Sequence, residues 1–339
     1  MIRSLQGSPM HNRRQFLRQS FAFSALATLG GLSSLAAPKP GKDSRHLIVV
    51  GDWGYEDATA QISVARTMTN YTRQHSLHPE ALLMLGDNWY GPLPGGVDCP
   101  RWKTSFEDAY PASVFPGPAY TIPGNHDYQI MPESKLAAEL AYAKRPGTRW
   151  TMPSLWYRVE LPAKDPVITV IALDSNVPMP KPPKAPNFTL TAEQHAEQLT
   201  WLEAELSKPL NTPFLVVMGH HPIYSDGPHG DHAILIRDWE PLLRKHNVHL
   251  YLAGHDHDLQ HLEFASHPTS FFLSGGGGAD LYNLKIQPSE RGPFAQKVYG
   301  FSHIEMTHDL LTLRHLNEQG QQIHAFTKRP DHSVQILTS

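Results

Sequence analysis

Five apolar, β-branched runs each stop at a short polar cluster, and this repeated boundary constrains the fold more than any other feature of the chain. His46-Leu47-Ile48-Val49-Val50 stops at Gly51-Asp52-Trp53-Gly54. Ala81-Leu82-Leu83-Met84-Leu85 stops at Gly86-Asp87-Asn88-Trp89-Tyr90. The run 119–123 stops at Gly124-Asn125-His126-Asp127. Phe214-Leu215-Val216-Val217-Met218 stops at Gly219-His220-His221-Pro222. Val248-His249-Leu250-Tyr251-Leu252 stops at Ala253-Gly254-His255-Asp256-His257. Short apolar runs bounded by Gly and Asp read as buried strands. Residues 57–74 and 191–208 read as helices, the second opened by Thr191 and Gln194 at capping-box spacing. Strands alternating with helices predict an α/β fold. In open α/β sheets the ligand site lies outside the carboxyl ends of the strands, where all five clusters fall.

Other runs fill in the frame. Residues 167–173 form a further strand ending in Asp174, which reads as structural. The proline-rich stretch 177–186 reads as a surface loop. Residues 270–273, 301–306 and 310–316 predict a second sheet packed behind the first. Gly275 to Gly278 lack the Lys-Ser/Thr that completes a phosphate-binding loop, and are expected to let backbone approach the site. His261 is expected at the site's rim without a role.

The clusters gather Asp52, Asp87, Tyr90, Asn125, His126, His220, His255 and His257. Any one Asp or Asn after a strand commonly caps a turn, and a lone histidine is more often structural. Eight such residues at five strand ends exceed what turns require. One metal does not need so many donors, whereas two metals about 3.5–4 Å apart with a shared carboxylate do. Asp87 is the expected bridge. Asp52, Tyr90 and His257 complete one site, and Asn125, His220 and His255 the other. A phenol, with a reference pKa near 10, binds as phenolate only to a strong Lewis acid, which points to Fe(III) beside Tyr90. Two imidazoles and an amide select weakly, so the partner is Fe(II), Zn(II) or Mn(II). The chain holds 21 histidines and one cysteine, Cys99, which excludes a cysteine-based cluster.

In this order, Gly-Asp-x-Gly, Gly-Asp-x-x-Tyr, Gly-Asn-His-Asp, Gly-His-x-Pro and Gly-His-x-His resemble the metal motifs of the purple acid phosphatases, within the calcineurin-like metallophosphoesterases. Most of that superfamily has Asp-x-His in the first motif. Here Gly54 takes the histidine's place and Tyr90 is present. Residues 198–202 and 254–260 are most similar to the small, tartrate-resistant branch. The resemblance spans roughly 46–278 and implies an αββα sandwich of two mixed sheets flanked by helices. It also implies a dinuclear acid phosphatase that splits phosphate monoesters by in-line attack of a metal-held hydroxide. His126 is then the residue that contacts phosphate and protonates the leaving alcohol. Asn125, His221 and His229 are further substrate-binding candidates, and His229 is a second catalytic candidate. The branch tends to carry Glu-His where Pro228-His229 stands, so the proton donor is open between His126, His229 and Asp226. The alternatives are a phosphodiesterase or nucleotidase of the same superfamily and, in a different class, a non-catalytic phosphate- or metal-binding protein.

Residues 1–37 hold Arg3, Arg13, Arg14 and Arg18 and no acidic residue. A 15-residue mildly apolar run, Phe21 to Leu35, leads into small residues. This reads as an export signal, and Asn12-Arg13-Arg14-Gln15-Phe16-Leu17 resembles the bacterial twin-arginine type. The expected organisation is a signal at 1–37, a linker at 38–45 and one catalytic domain at 46–339. A periplasmic or secreted location follows, with the twin-arginine export machinery as a transient partner and no stable membrane anchor. Losing the signal leaves 25 of the 29 Lys and Arg against all 32 acidic residues, a balance of −7 in place of −3. An acidic surface excludes a nucleic-acid partner and suits a small anionic substrate drawn by the metal pair itself.

Overall fold

Side chains alternate between two cores along the central strands. The computed structural model describes residues 44–178, 189–287 and 291–337. The expected signal at 1–37, the expected linker up to residue 43, and residues 179–188, which include most of the proline-rich stretch, lie outside the described residues. In chain order the elements are β1 (Arg45–Val50), α1 (Thr59–Gln74), β2 (Pro79–Met84), a π-helical turn (Trp102–Glu107), β3 (Ala119–Thr121), α2 (Lys135–Tyr142), β4 (Trp150–Thr151), β5 (Tyr157–Leu161) and β6 (Ile168–Ala172). There follow α3 (Ala192–Leu206), β7 (Phe214–Met218), α4 (Ala233–Asp238), α5 (Glu240–Lys245), β8 (Leu250–Ala253), β9 (Leu259–Leu262), β10 (Ser270–Ser274), β11 (Phe294–Gln296), β12 (Gly300–Met306), β13 (Leu311–Asn317), β14 (Gln322–Lys328) and β15 (Val334–Leu337).

Two mixed sheets result. One runs β15-β14-β13-β12-β1-β2-β3-β4, the other β11-β9-β10-β8-β7-β6-β5. Leu47, Val49 and Leu83 of the first pack with Val170, Val216, Leu252 and Phe272 of the second, so the sheets bury one face on each other. The alternate residues Ile48, Val50, Leu82 and Met84 pack outward on Val64 and Met68 of α1. Ile171, Val217 and Tyr251 pack on Leu202 of α3, Leu235 of α4 and Leu243 of α5. Strands covered on both faces need continuous apolar runs, which is why the runs stood out in the sequence. β1, β2 and β3 are mutually parallel, as are β6, β7 and β8. Their carboxyl ends therefore bring the polar clusters to one rim. The αββα expectation holds, but 301–306 and 310–316 do not build a separate sheet: β12 and β13 extend the sheet of β1, and of the three only β10 joins the other sheet, beside β8. The capping box holds too: Thr191 and Gln194 exchange both bonds at the start of α3. Among the described residues, no helix is long and apolar enough to cross a membrane.

Histidines also cross between the sheets. His261 Nδ1 lies 2.9 Å from His324 Nε2, and His261 Nε2 lies 2.7 Å from Glu263 Oε1. His315 sits between Ser302 Oγ (2.9 Å) and the carbonyl of Gln260 (3.0 Å). His261 is thus fully buried on β9 and not at the rim, because its alternating register points it into the inter-sheet layer. Burial pushes His324 down to about 3. The unfolded imidazole takes its proton near 6.5, the folded one only near 3. Its contribution is therefore complete above pH 6.5 and is lost as the pH falls toward 3, by up to about 1.4 kcal/mol per pH unit. Chemical denaturation of wild type should show stability falling over this range, and His324→Gln, which keeps a partner for His261, should flatten the slope. Equal slopes would contradict this account.

Candidate metal centre

The rim holds two buried carboxylates, each tied down by one oxygen. Asp52 follows β1 and Asp87 follows β2, at 0% and 1% exposure. Asp52 Oδ2 accepts the amide of His255 (2.9 Å), and Asp87 Oδ1 accepts the amide of His126 (2.8 Å). The other oxygens, Asp52 Oδ1 and Asp87 Oδ2, both face Tyr90 Oη, at 3.2 and 2.9 Å. His257 Nε2 closes this group, 3.0 Å from Tyr90 Oη and 3.5 Å from Asp52 Oδ1. On the other side His220 Nε2 lies 3.4 Å from Asp87 Oδ2, 3.2 Å from Asn125 Oδ1 and 3.2 Å from His255 Nδ1. Two donor groups follow, Asp52-Asp87-His257 and Asp87-His220-His255, with ligand atoms within 4.8 Å of one another in each. Asp87 is common to both, through the one oxygen its backbone bond leaves inward.

The imidazoles are held in the tautomers a metal requires. His220 Nδ1 donates to the carbonyl of Leu85 (2.8 Å) and His257 Nδ1 to the carbonyl of Asp280 (2.6 Å), so each turns its Nε2 toward the carboxylates. Burial lowers His257 to about 4, which keeps it neutral and ready to ligate. At His220 burial is outweighed by the Asp87 carboxylate, and the ring is raised to about 10. Burial raises Asp52, and burial with the two carboxylates raises Tyr90. Buried charges persist when paired or ligating, and this donor set, two carboxylates, a phenol, an amide and three imidazoles, fits a pair of cations. The proton Asp87 holds on His220 is the one a cation displaces. Asp52 (φ 58°), Asp87 (φ 49°) and His255 (φ 69°) are all in the left-handed region, which non-glycine residues occupy at a cost that clusters at functional sites.

The loop bearing Tyr90 is clamped by groups that the motif reading passed over. Asp127 accepts the amides of Asn88 (3.0 Å), Trp89 (2.9 Å) and Gly124 (2.8 Å), binding the Asp87 loop to the Asn125 loop. Its signal was present as the last residue of Gly-Asn-His-Asp. Arg101 donates to the carbonyls of Tyr90 and Gly54, both at 2.8 Å. Gly54 itself lies so close that a Cβ there would meet Asn88 O at 1.7 Å. A histidine at this position is sterically closed by the loop that carries Tyr90. Gly275 plays the part expected of it: a Cβ would come within 2.2 Å of Asp256 O and 2.9 Å of Asp52 Oδ2.

The remaining candidates occupy distinct places. His126 is half-buried, its ring 4.2 Å from that of Tyr90 and its Nδ1 3.2 Å from the amide nitrogen of Gln129. His229 Nδ1 lies 2.6 Å from Asp256 Oδ1, and its ring stands 4.1 Å from His255. Asp256, between two ligand histidines, is buried and was not singled out from sequence. His221 lies behind His255, 4.3 Å ring to ring, with Nδ1 2.8 Å from Ser175 Oγ. Asp226 is buried and paired with Arg291 at 3.3 Å, so it does not face the centre. Asp174 accepts the Tyr128 hydroxyl and the Asn176 amide (2.9 Å), the structural role expected.

Two donor groups sharing a carboxylate, at the strand ends of a two-sheet sandwich, define the class: a dinuclear metal-centre protein. The calcineurin-like phosphoesterase model matches residues 45–259, and the chain belongs to that family. Tartrate-resistant acid phosphatase type 5 of Oryctolagus cuniculus is 29% identical over 297 residues, covering 81% of this chain and 88% of its own. Among solved structures, purple acid phosphatase PPD1 from Lupinus luteus superposes with a TM-score of 0.63 at 17% identity, over 87% of this chain and 55% of that one. GAP50, the anchor in the inner membrane complex of Plasmodium, superposes with a TM-score of 0.67 at 22% identity, over 83% and 87%. Gly54→Ala should cost about 3 kcal/mol, the upper range for overpacking, and should abolish stoichiometric metal uptake. An unchanged melting temperature with full metal content would refute the steric account.

Proposed function

We propose that the chain is an exported dinuclear acid phosphatase that hydrolyses phosphate monoesters. The observation that carries this reading is the pairing of the two donor groups through Asp87 Oδ2, with Tyr90 in one of them. The resemblance to tartrate-resistant and purple acid phosphatases supports the same reaction. The proposed ligands are Asp52, Tyr90, His257 and Asp87 on one side, and Asp87, Asn125, His220 and His255 on the other. Tyr90 favours Fe(III) on its side, with Fe(II), Zn(II) or Mn(II) opposite. When bound, the pair supplies Lewis-acid charge neutralisation and a water acidic enough to attack phosphorus at low pH.

The chain's own groups do the rest. Asn125 orients the ester beside its ligand oxygen. His126, with the Gln129 side-chain amide 3.2 Å from its Nδ1, donates from its imidazolium form. As a hydroxide oxygen bonds to phosphorus and the P–OR bond breaks, the Nε2 proton passes to the departing oxygen, leaving ROH and a neutral imidazole. His229, held by Asp256, donates to an equatorial phosphoryl oxygen. His221 backs His255. The signal at 1–37 and a single catalytic domain at 46–339 complete the proposal, with a periplasmic or secreted location.

The purified, iron-loaded protein should absorb in the visible through phenolate-to-Fe(III) charge transfer. Tyr90→Phe should lose that band, and a colourless wild type would sink the Fe(III) assignment. Phenyl phosphate should be turned over faster than its bis-aryl diester. The reverse order would favour the phosphodiesterase alternative. Asp256→Asn should weaken inhibition by inorganic phosphate about tenfold, the worth of one charge-assisted hydrogen bond. An unchanged inhibition constant would remove His229 from the phosphate site.

A further inference from the structure

Four successive carbonyls on the loop that carries Tyr90 are taken, in alternation, by two cations. Lys135 Nζ donates to the carbonyls of Trp89 (2.6 Å) and Gly91 (3.2 Å). Arg101 Nη1 donates to those of Tyr90 (2.8 Å) and Pro92 (2.9 Å). Arg101 reaches from there to Gly54, whereas Lys135 reaches toward the phosphate side. Its Nζ lies 3.4 Å from Gln129 Oε1, and the same side-chain amide stands 3.2 Å from His126 Nδ1. One ammonium therefore holds the carbonyls on either side of Tyr90 and the side chain that meets His126. The two rings so held lie 4.2 Å apart.

Nothing in its local setting favours a lysine there. Lys135 is the first residue of α2, where the helix dipole disfavours a cation. It is 1% exposed, and its hydrogen-bond partners among the described residues are all neutral oxygens. Burial pushes the ammonium down, and the carboxylates of Asp127, Glu139 and Asp87 act against that from farther off. A buried charge without a directly paired carboxylate costs stability. Residues that break a local rule in this way gather at functional sites.

We propose that Lys135 is a positioning residue for this pair: it fixes the Tyr90 phenol over one metal position and, through Gln129, the His126 ring over the phosphate. The inference rests on the phosphomonoesterase reading above and adds a residue to that site. Lys135→Met keeps the length of the side chain and removes all three bonds, so it frees both arms at once. Gln129→Met frees the His126 arm alone and leaves the carbonyls of Trp89 and Gly91 held.

The two variants, made in the full chain, test this. In the metal-free protein the amides of Tyr90 and Leu93, bonded to the carbonyls of Gly54 and Met131, should exchange about tenfold faster in Lys135→Met, with those of β7 unchanged. Gln129→Met should leave both at the wild-type rate. Iron-loaded Lys135→Met should hold its metal about tenfold more weakly, as when a group supporting a ligand is removed, and its visible band should shift. Gln129→Met should keep the wild-type band. Both variants should lose about tenfold more kcat on an alkyl phosphate, whose leaving group needs a proton, than on p-nitrophenyl phosphate, which leaves without one. Unchanged exchange in Lys135→Met, faster exchange spread evenly to β7, or an unchanged leaving-group dependence in Gln129→Met would overturn the proposal. If the loaded wild type turns over no phosphate ester, the phosphatase reading fails, and the exchange rates alone decide whether Lys135 holds the Tyr90 loop.

Discussion

Everything at the rim depends on keeping two carboxylates buried and facing each other across one phenol. Asp52 and Asp87 are out of water, and their inward oxygens converge on Tyr90 Oη. Left to themselves, such groups repel or neutralise. The fold holds each with one backbone N–H and turns the other oxygen toward Tyr90 Oη. Those N–H groups belong to the residues that supply or adjoin the remaining donors: His255 anchors Asp52, and His126 anchors Asp87. Each strand-end loop therefore fixes its neighbour, and the centre is rigid before any ligand arrives.

The sandwich makes this possible by lending the loops stiff roots. Strands packed on both faces cannot slip register without exposing their apolar sets. Their carboxyl ends are therefore fixed points, and short glycine-bearing turns cross between them at close range. Gly54 against Asn88 is the tightest of these contacts. It excludes a histidine from the first loop and brings the Tyr90 loop over the site instead. A single backbone approach thus leaves a phenol over the site where a histidine cannot fit.

Much of this was legible in the sequence because the relevant signals are local. Apolar runs ending in Gly-Asp or Gly-His mark strand ends, and a Thr-x-x-Gln start marks α3. The pairing of Gly54 with Tyr90 is likewise written in two short motifs. What escaped notice depends on distant partners. Asp127 and Asp256 sit within recognised motifs, yet one is a clamp between loops and the other a support for His229 from 27 residues away. The expected rim position of His261 failed for the same reason. Its place on β9 turns it into the inter-sheet layer, where His324 and Glu263 await it. Among the described residues, histidines thus stand both at the rim and, hydrogen-bonded, between the sheets.

By itself the sequence determined the apolar strands that end at the rim and the candidate donors gathered there, since side-chain period and donor chemistry are properties of residue type and spacing. Only the tertiary structure decided which oxygen of Asp87 lies between the two donor groups, and which nitrogens of His220 and His257 point inward. Those choices turn on backbone bonds between loops far apart in the chain, and on the left-handed turns at Asp52, Asp87 and His255 that aim the side chains. Spacing along the chain carries no record of either.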